Sequence, residues 1–321
     1  MRKFIIFLTV MCLMLLSSCT GKNGYKVSKT VFLMDTVVTL SADCSEDILN
    51  GALSLCENYE KLFSRTKEES DIYKINNSQD FVEVNKETVF LIKKAVEYSV
   101  LTEGKFDITI CPVSSLYDFN SASLPEPSQI KENLKKVDYK KIEIEGNKVK
   151  IGDGMIDLGG IAKGYIADKT VEYFKSKGVK RANVNIGGNV YIYGENEAQI
   201  GIRKPFSQDI IASVISHEGT FVTSGIYERY IEKDGKIYHH ILDTKTGYGV
   251  ENSLAGVTVI GESSADADAL STVCMLSGLD KGMEIIENKE NTEAVFILKD
   301  GSIKLSSGLY RNSDTIRFIG S

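Results

Sequence analysis

The chain has 321 residues, which is enough for one large domain or two modest ones. Its apolar content of 42% and charged content of 26% are ordinary for a soluble globular protein. The net charge of −6, together with the lack of a basic stripe interleaved with aromatic residues, argues against a nucleic-acid-binding protein.

The N-terminal residues have the pattern of a bacterial lipoprotein leader. Arg2 and Lys3 precede an apolar stretch over 4–16, which is too short to span a bilayer as a mature helix. Small residues then lead to Cys19, as in a lipobox. The pattern predicts a signal peptide over 1–18 and a lipid on Cys19. The alternative is an ordinary secretory signal with an incidental cysteine.

The remainder of the chain is predicted to be anchored rather than integral. Residues 19–29 are polar and are predicted to form a tether, followed by a single domain over 30–321. No second apolar run is long enough to span a membrane. We therefore expect a lipid-anchored protein on the extracytoplasmic face of a bacterial cell membrane. Four cysteines of the domain show no zinc spacing, and one disulfide among them is left open: Cys44, Cys56, Cys111 and Cys274.

The predicted elements do not alternate regularly along the chain. Apolar periodicity predicts helices over 46–63, 86–103, 129–137, 162–177 and 265–278. Strands are predicted over 31–42, 140–144, 148–158, 181–193, 198–203 and 210–217, with hairpins turning at Asp234-Gly235 and Asp300-Gly301. Because helices do not regularly separate the strands, the sequence predicts an α+β fold with mixed or mostly antiparallel sheets and flanking helices.

A glycine-rich loop, IDLGGIAKGYIADK over 156–169, is the first candidate site. Asp157 follows a predicted strand, Gly159 and Gly160 form a turn, and Lys163 lies at the start of a helix. Free N–H groups at a helix N-terminus favour an anion, and carbonyl groups of such a turn can hold a hard cation. The alternative is a tight strand-to-helix turn that needs glycine only for its backbone conformation.

Asp268 and Thr272 form the second candidate site. They are four residues apart on a predicted helix and therefore project from the same face. A carboxylate and a hydroxyl are hard oxygen ligands, which suit Mg²⁺ better than Zn²⁺. Asp266 is interpreted instead as a carboxylate that interacts with the helix dipole.

His240 is the third candidate, at the end of a predicted hairpin and close to Asp243. A histidine in this position can accept a proton. His239 is expected to face the other side of the strand. Asp107 interrupts a strand-like apolar run over 104–113 and needs a partner if it is buried.

Eight short blocks occur in the order seen in the ApbE-type lipoproteins, which are FAD:protein FMN transferases, and the chain resembles that family from Met34 to about Gly278. The blocks are MDT (34–36), FSRTKEESDIYKIN (63–76), GKFDITICP (104–112), DLGGIAKGYIAD (157–168), NIGGNVY (185–191), TSG (223–225), HHILDTKTG (239–247) and ADALST (267–272).

The resemblance implies a T-fold-like architecture and transfer of FMN from FAD to a Thr or Ser hydroxyl of an acceptor flavoprotein, with release of AMP. It implies that Mg²⁺ binds Asp268, Thr272 and a backbone carbonyl near Gly160. His240 is proposed as the base, and Lys163 as a positive charge on the phosphates. The implied FAD contacts are Met34, Phe106, Asp107, Asp157, Lys163, Ser224 and Ile241. The implied partners are extracytoplasmic or membrane redox subunits that carry covalent FMN.

The chain departs from the family pattern at three positions. Asp35 stands in place of a glycine, and Thr244 in place of a proline. Arg65 follows Ser64 where a tyrosine that covers the flavin is common. Two alternative functions remain open: a magnesium-dependent FAD pyrophosphatase that releases FMN and AMP, and a non-catalytic flavin-binding lipoprotein.

Overall fold

The structure is a computed structural model that describes residues 24–195, 197–311 and 315–318. The predicted signal peptide and Cys19 lie outside the described residues. The first strand begins at Val27, within the range 19–29 that was predicted to be a tether. Within the described ranges, no helix combines the length and the apolar character needed to cross a membrane.

Sixteen strands are distributed over four sheets in the described part of the chain, and all their pairings are antiparallel. The strands are β1 (Val27–Leu33), β2 (Thr36–Ala42), β3 (Val82–Glu83), β4 (Glu143–Glu145), β5 (Lys148–Lys150), β6 (Ala182–Ile186), β7 (Asn189–Tyr193), β8 (Ala198–Arg203), β9 (Ile210–Ser216), β10 (Gly219–Gly225), β11 (Tyr230–Lys233), β12 (Lys236–His239), β13 (Leu254–Gly261), β14 (Glu293–Leu298), β15 (Ile303–Leu305) and β16 (Ile316–Phe318).

The largest sheet has eight strands in the order β1-β2-β6-β7-β10-β13-β14-β15. Nine helices are found in the described part of the chain. They are α1 (Glu46–Phe63), α2 (Asp71–Asn76), α3 (Lys86–Leu101), α4 (Cys111–Ser114), α5 (Pro127–Leu134), α6 (Ala162–Ser176), α7 (Ser264–Ser277), α8 (Leu279–Glu287) and α9 (Ser307–Arg311). Short 3₁₀ turns occur at Ile108–Ile110 and Tyr139–Lys141.

Both faces of the large sheet are buried at β14, which shows how the layers are arranged. Side chains alternate between the faces of a strand. Ala294 and Phe296 enter the main core shared with the helices, whereas Val295 and Ile297 enter a second core. The sheet β16-β9-β8 covers this second core. A strand that is buried on both faces has a continuous run of apolar residues. Its sequence therefore lacks the alternation of apolar and polar residues that marks a half-buried strand.

The structure confirms the α+β prediction and several elements, and it corrects others. The single strand predicted over 31–42 is a hairpin, because Met34 and Asp35 both take a left-handed backbone conformation with φ of 54°. The strand predicted over 148–158 is limited to β5. The strand-like run over 104–113 forms a 3₁₀ turn and α4 instead. β13 and α8 were not predicted.

The cysteines of the domain are free thiols in the described part of the chain, so none of them pairs with another there. Cys56 and Cys274 are fully buried, as their apolar helical positions suggested. Burial raises the pKa of the Cys56 thiol to about 11 and that of Cys274 to about 12. Both thiols are therefore unreactive core residues.

Helices α6 and α7 approach so closely at Gly164 that no side chain fits there. A Cβ on Gly164 would overlap the carbonyl oxygen of Ser264 and would lie 2.8 Å from the Cβ of Asp268. Because the first of these contacts involves backbone, no change of side-chain rotamer can relieve it. The glycine therefore determines how near the two helices come.

We expect Gly164→Ala to lower the free energy of unfolding by about 1 to 3 kcal/mol, because the helices must move apart. Urea denaturation with circular dichroism detection measures this change. Lys175→Ala, at an exposed position on the same helix, is the matched control and should have little effect. Equal stability of Gly164→Ala and wild type would contradict the close approach.

Candidate active site

The carboxylate of Asp268 lies where the first turn of α6 contacts α7, and its side chain is only 4% exposed. The Gly164 N–H donates a hydrogen bond to its Oδ2 at 2.9 Å. The Lys163 ammonium lies 3.7 Å from its Oδ1 and donates to the carbonyl oxygen of Gly159 at 3.0 Å. Two adjacent residues of α6 therefore engage the two oxygens of one buried carboxylate.

Hydroxyl groups from β10 and α7 meet near this carboxylate. The Oγ of Ser224 lies 2.8 Å from the Oγ of Ser271 and 3.2 Å from the Oγ1 of Thr272. Thr272 follows Asp268 by one helical turn. A Cβ on Gly160 would lie 3.9 Å from the Thr272 hydroxyl, so the backbone of the glycine loop approaches it closely. The structure thus brings three separately predicted segments together.

The donor set fits a hard cation. Among the described residues, no group of three or more His, Cys, Asp or Glu side chains could hold a metal ion. Mg²⁺ does not need such a group, because it binds through one or two carboxylates plus waters and substrate phosphates. The Lys163 ammonium already rests on a carboxylate and a carbonyl oxygen, which shows that the position suits a positive charge.

Asp107 lies beside the glycine loop, because the Asp157 N–H donates to the carbonyl oxygen of Ile108 at 2.8 Å. Its Oδ1 accepts from the N–H and the hydroxyl of Thr109 at 2.8 and 2.7 Å, and its Oδ2 accepts from the Tyr139 N–H at 3.0 Å. Burial raises the pKa of Asp107, and these hydrogen bonds oppose the shift. The buried carboxylate of Asp107 therefore has the hydrogen-bond partners that it was expected to need.

Arg65 forms an ion pair with Asp157, the acidic residue at the start of the glycine loop. Its Nε lies 3.3 Å from Oδ2 of Asp157, and its Nη1 donates to the Ser115 hydroxyl at 2.6 Å. Oδ1 of Asp157 accepts from the Gly159 N–H at 2.8 Å. Sequence reasoning treated Arg65 as a departure from a tyrosine and missed this ion pair, because its partners are distant along the chain.

Three of the predicted flavin contacts are apolar residues. Phe106 and Ile241 are each 4% exposed, and the Phe106 ring lies 3.2 Å from where a Cβ on Gly160 would stand. Met34 lies at the turn between β1 and β2, and its N–H donates to a Glu60 carboxylate oxygen at 2.9 Å. Phe106 therefore packs against the glycine loop at Gly160, whereas Met34 is held by α1.

His240 lies directly after β12 and is held by the carbonyl oxygen of Arg229. Its backbone N–H donates to that oxygen at 3.1 Å, and its Nδ1 lies 3.2 Å from it. Since a carbonyl only accepts, Nδ1 carries the proton and Nε2 keeps a free lone pair. Burial lowers the pKa of His240 to about 4, with a smaller contribution from the charge of Lys163. The half-buried ring is therefore neutral at neutral pH and presents a proton acceptor.

His239 behaves as predicted for a residue on the other side of the strand. It is 5% exposed, and burial lowers its pKa to about 4 as well. Its ring fills the space beside Gly249, where an added Cβ would lie 2.9 Å from Nε2. This histidine is a core residue and not part of the site.

Glu228 is an acidic residue of this region that the sequence did not indicate. Its side chain is exposed, yet desolvation by the surrounding protein raises its pKa to about 7. The charges of Lys163 and Arg203 oppose that shift, and the charge of Asp268 adds to it. The backbone N–H of Glu228 donates to the carbonyl oxygen of Gly225, the last residue of β10, at 3.3 Å. The sequence signal of Glu228 was its place shortly after the TSG block, which ends β10.

We expect Glu228→Gln to be more stable than wild type above pH 7 and similar to it at pH 4.5. The raised pKa of Glu228 means that its contribution is present below the unfolded value of 4.5 and lost as pH rises through about 7. Thermal unfolding at pH 4.5, 6 and 8 measures the difference. Glu232→Gln, an exposed position on β11, is the control. A difference that does not grow with pH would contradict the shift.

Comparison with known proteins supports the family resemblance that was inferred from the sequence motifs. Residues 34–296 match the ApbE family. The FAD:protein FMN transferase of Klebsiella pneumoniae strain 342 is 34% identical over 291 residues, covering 87% of this chain and 92% of that protein. The protein of the same name from Treponema pallidum is 29% identical and covers 81% of this chain and 80% of its own length.

Solved structures agree with the fold. An ApbE protein from Thermotoga maritima, known from a crystal structure, superposes with a TM-score of 0.81 at 32% identity, over 89% of this chain and 98% of that chain. The flavin transferase ApbE from Vibrio cholerae has a TM-score of 0.79 at 27% identity, with the same coverage. The resemblance read from the motifs is confirmed: this chain belongs to the ApbE family.

Proposed function

We propose that this protein transfers FMN from FAD to a Thr or Ser hydroxyl of an acceptor flavoprotein, with magnesium, and releases AMP. The transferase names of the relatives support this activity. The observation in this chain that carries it is that Lys163 pairs with Asp268 while the backbone at Gly160 closely approaches the hydroxyl of Thr272, one helical turn after Asp268.

In the proposed reaction, the acceptor hydroxyl oxygen bonds to the phosphorus of the FMN half, and the anhydride bond to AMP breaks. Nε2 of His240 takes the hydroxyl proton, and the Lys163 ammonium pairs with phosphate oxygens. Asp268, Thr272 and the backbone at Gly160 would hold magnesium. Magnesium bound there would neutralise phosphate charge, which phosphoryl transfer needs more than covalent help. The proposed FAD wall comprises Met34, Phe106, Asp107, Asp157, Ser224 and Ile241.

The proposed location is the extracytoplasmic face of a bacterial cell membrane, with a lipid on Cys19. The motif over Leu16–Cys19 supports this proposal. The proposed acceptors are extracytoplasmic or membrane redox subunits. Cys19→Ala is expected to move the protein from the membrane fraction to the soluble fraction, and detergent-independent solubility of the wild type would contradict the anchor.

The transferase is tested by incubating the protein with FAD, Mg²⁺ and a candidate acceptor, followed by mass spectrometry of the acceptor and chromatography of nucleotides. We expect an FMN adduct and AMP in equal amounts. Free FMN without adduct, in the presence of an authentic acceptor, would instead support the FAD pyrophosphatase. The pyrophosphatase alternative is tested because Arg65 stands where a tyrosine that covers the flavin is common in the family. Bound FAD without any AMP would support a non-catalytic flavin-binding lipoprotein.

A further inference from the structure

Lys163 and Gly164 hold Asp268 in two different ways. The Gly164 N–H is fixed in helix α6 and makes a 2.9 Å hydrogen bond to Oδ2. Lys163 reaches Oδ1 with a flexible side chain that is 30% exposed, and its ammonium stays 3.7 Å away. Only one of the two contacts can therefore be released without moving the helix.

The ammonium occupies the place that a hard cation would need. It lies between Oδ1 of Asp268 and the carbonyl oxygen of Gly159, to which it donates at 3.0 Å. A carboxylate that is 4% exposed requires a counter-charge, because an unpaired buried charge is strongly unfavourable. Lys163 supplies that charge when no other cation is present.

We propose that Lys163 is the resident counter-ion of Asp268 and leaves Oδ1 when a divalent cation binds. This inference rests on the proposed metal site at Asp268. During the exchange, the Gly164 N–H keeps its hold on Oδ2 and preserves the orientation of the carboxylate. A divalent cation must therefore compete with an ammonium for the Asp268 carboxylate.

The competition couples metal binding to FAD binding. The pyrophosphate of FAD offers the displaced ammonium new oxygen partners, which removes the competitor from Asp268. Each ligand then raises the affinity for the other by the same factor, as linkage requires. In the absence of FAD, metal affinity should be weak, since the charge of the Asp268 carboxylate is already balanced by Lys163.

The test is a Mn²⁺ titration of the full-length protein without FAD, with free Mn²⁺ measured by electron paramagnetic resonance. Lys163→Met keeps an unbranched side chain that is one atom shorter and removes its charge. We expect this variant to bind Mn²⁺ roughly tenfold more tightly than wild type, a shift of about 1.4 kcal/mol. Lys175→Met, at an exposed position on the same helix that pairs with Glu218, should bind like wild type.

Thermal unfolding is the second measurement, which remains informative if Lys163→Met is less stable. Without metal, this variant should unfold at a lower temperature than wild type, because Asp268 has lost its counter-charge. Mn²⁺ should then stabilise it more than it stabilises wild type. Equal or weaker Mn²⁺ affinity in Lys163→Met would overturn the inference.

Asp268→Asn separates this inference from the proposed metal site. If Asp268→Asn loses Mn²⁺ binding while Lys163→Met binds like wild type, the counter-ion role is wrong and the metal site stands. If Asp268→Asn binds Mn²⁺ as well as wild type does, with and without FAD, the metal site itself is wrong. Loss of the Lys163→Met gain in the double variant Lys163→Met/Asp268→Asn would place the effect at this carboxylate.

Discussion

Asp268→Asn is expected to reduce magnesium-dependent AMP release by at least about 100-fold while the protein stays folded. The asparagine keeps an oxygen that can accept the Gly164 N–H bond seen at 2.9 Å. It removes the negative charge that a magnesium ion needs from the protein. AMP release from FAD, followed by liquid chromatography with Mg²⁺ and acceptor present, measures the loss.

Asp266→Asn is the matched control, two residues earlier on the same helix. The Asp266 carboxylate points to α3, where it pairs with Lys94 at 2.6 Å and hydrogen-bonds the Tyr98 hydroxyl. We expect this variant to keep AMP release and to lose some stability, because it weakens a partly buried ion pair. Unchanged AMP release in Asp268→Asn would remove this residue from the proposed metal site.

His240→Ala is expected to slow FMN transfer by about 10²- to 10⁴-fold, with little change in FAD affinity. The ring is held by the Arg229 carbonyl oxygen, so that Nε2 is free to accept a proton. Single-turnover transfer and FAD fluorescence titration separate the two effects. His217→Ala, an exposed position outside the site, is the control. Weak FAD binding with normal turnover of bound FAD would contradict the role of a base.

The pH dependence of the same variant gives a further check. Because burial lowers the pKa of His240 to about 4, this base is already neutral over the physiological range. The rate of FMN transfer by the wild type should therefore fall only below about pH 5. The stability that the neutral ring contributes is present above pH 6.5 and is lost as pH falls towards 4. His240→Ala should lack both effects, as pH–rate profiles and thermal unfolding would show.

Local patterns in the sequence were sufficient for most elements that border the site. The apolar stripes of α1 and α3 have helical periodicity, and Asn85 caps α3 as expected by accepting the Glu87 N–H. Both hairpins predicted at Asp-Gly pairs are present, because the glycine takes the left-handed conformation that such turns require. The motifs also identified the family before any comparison.

Local sequence patterns did not predict two turns of the chain, one at Met34 and Asp35 and one after Asp107. Met34 and Asp35 turn a hairpin with positive φ at two non-glycine positions, which no turn signal in the sequence announces. Asp107 is not part of a strand but the N-cap of a 3₁₀ turn, and its carboxylate accepts hydrogen bonds from Thr109 and from the distant Tyr139 N–H. In both cases tertiary contacts outweigh local preference.

The sequence by itself determined the fold class, the family and the residue types of the site, because periodicity, turn residues and motif order are local properties of the chain. The tertiary structure decided which of those residues act on each other. It placed Lys163 on Asp268 and Arg65 on Asp157. Such pairings join segments that are far apart in sequence, and their energies depend on distance and burial that only the packed helices and sheet define.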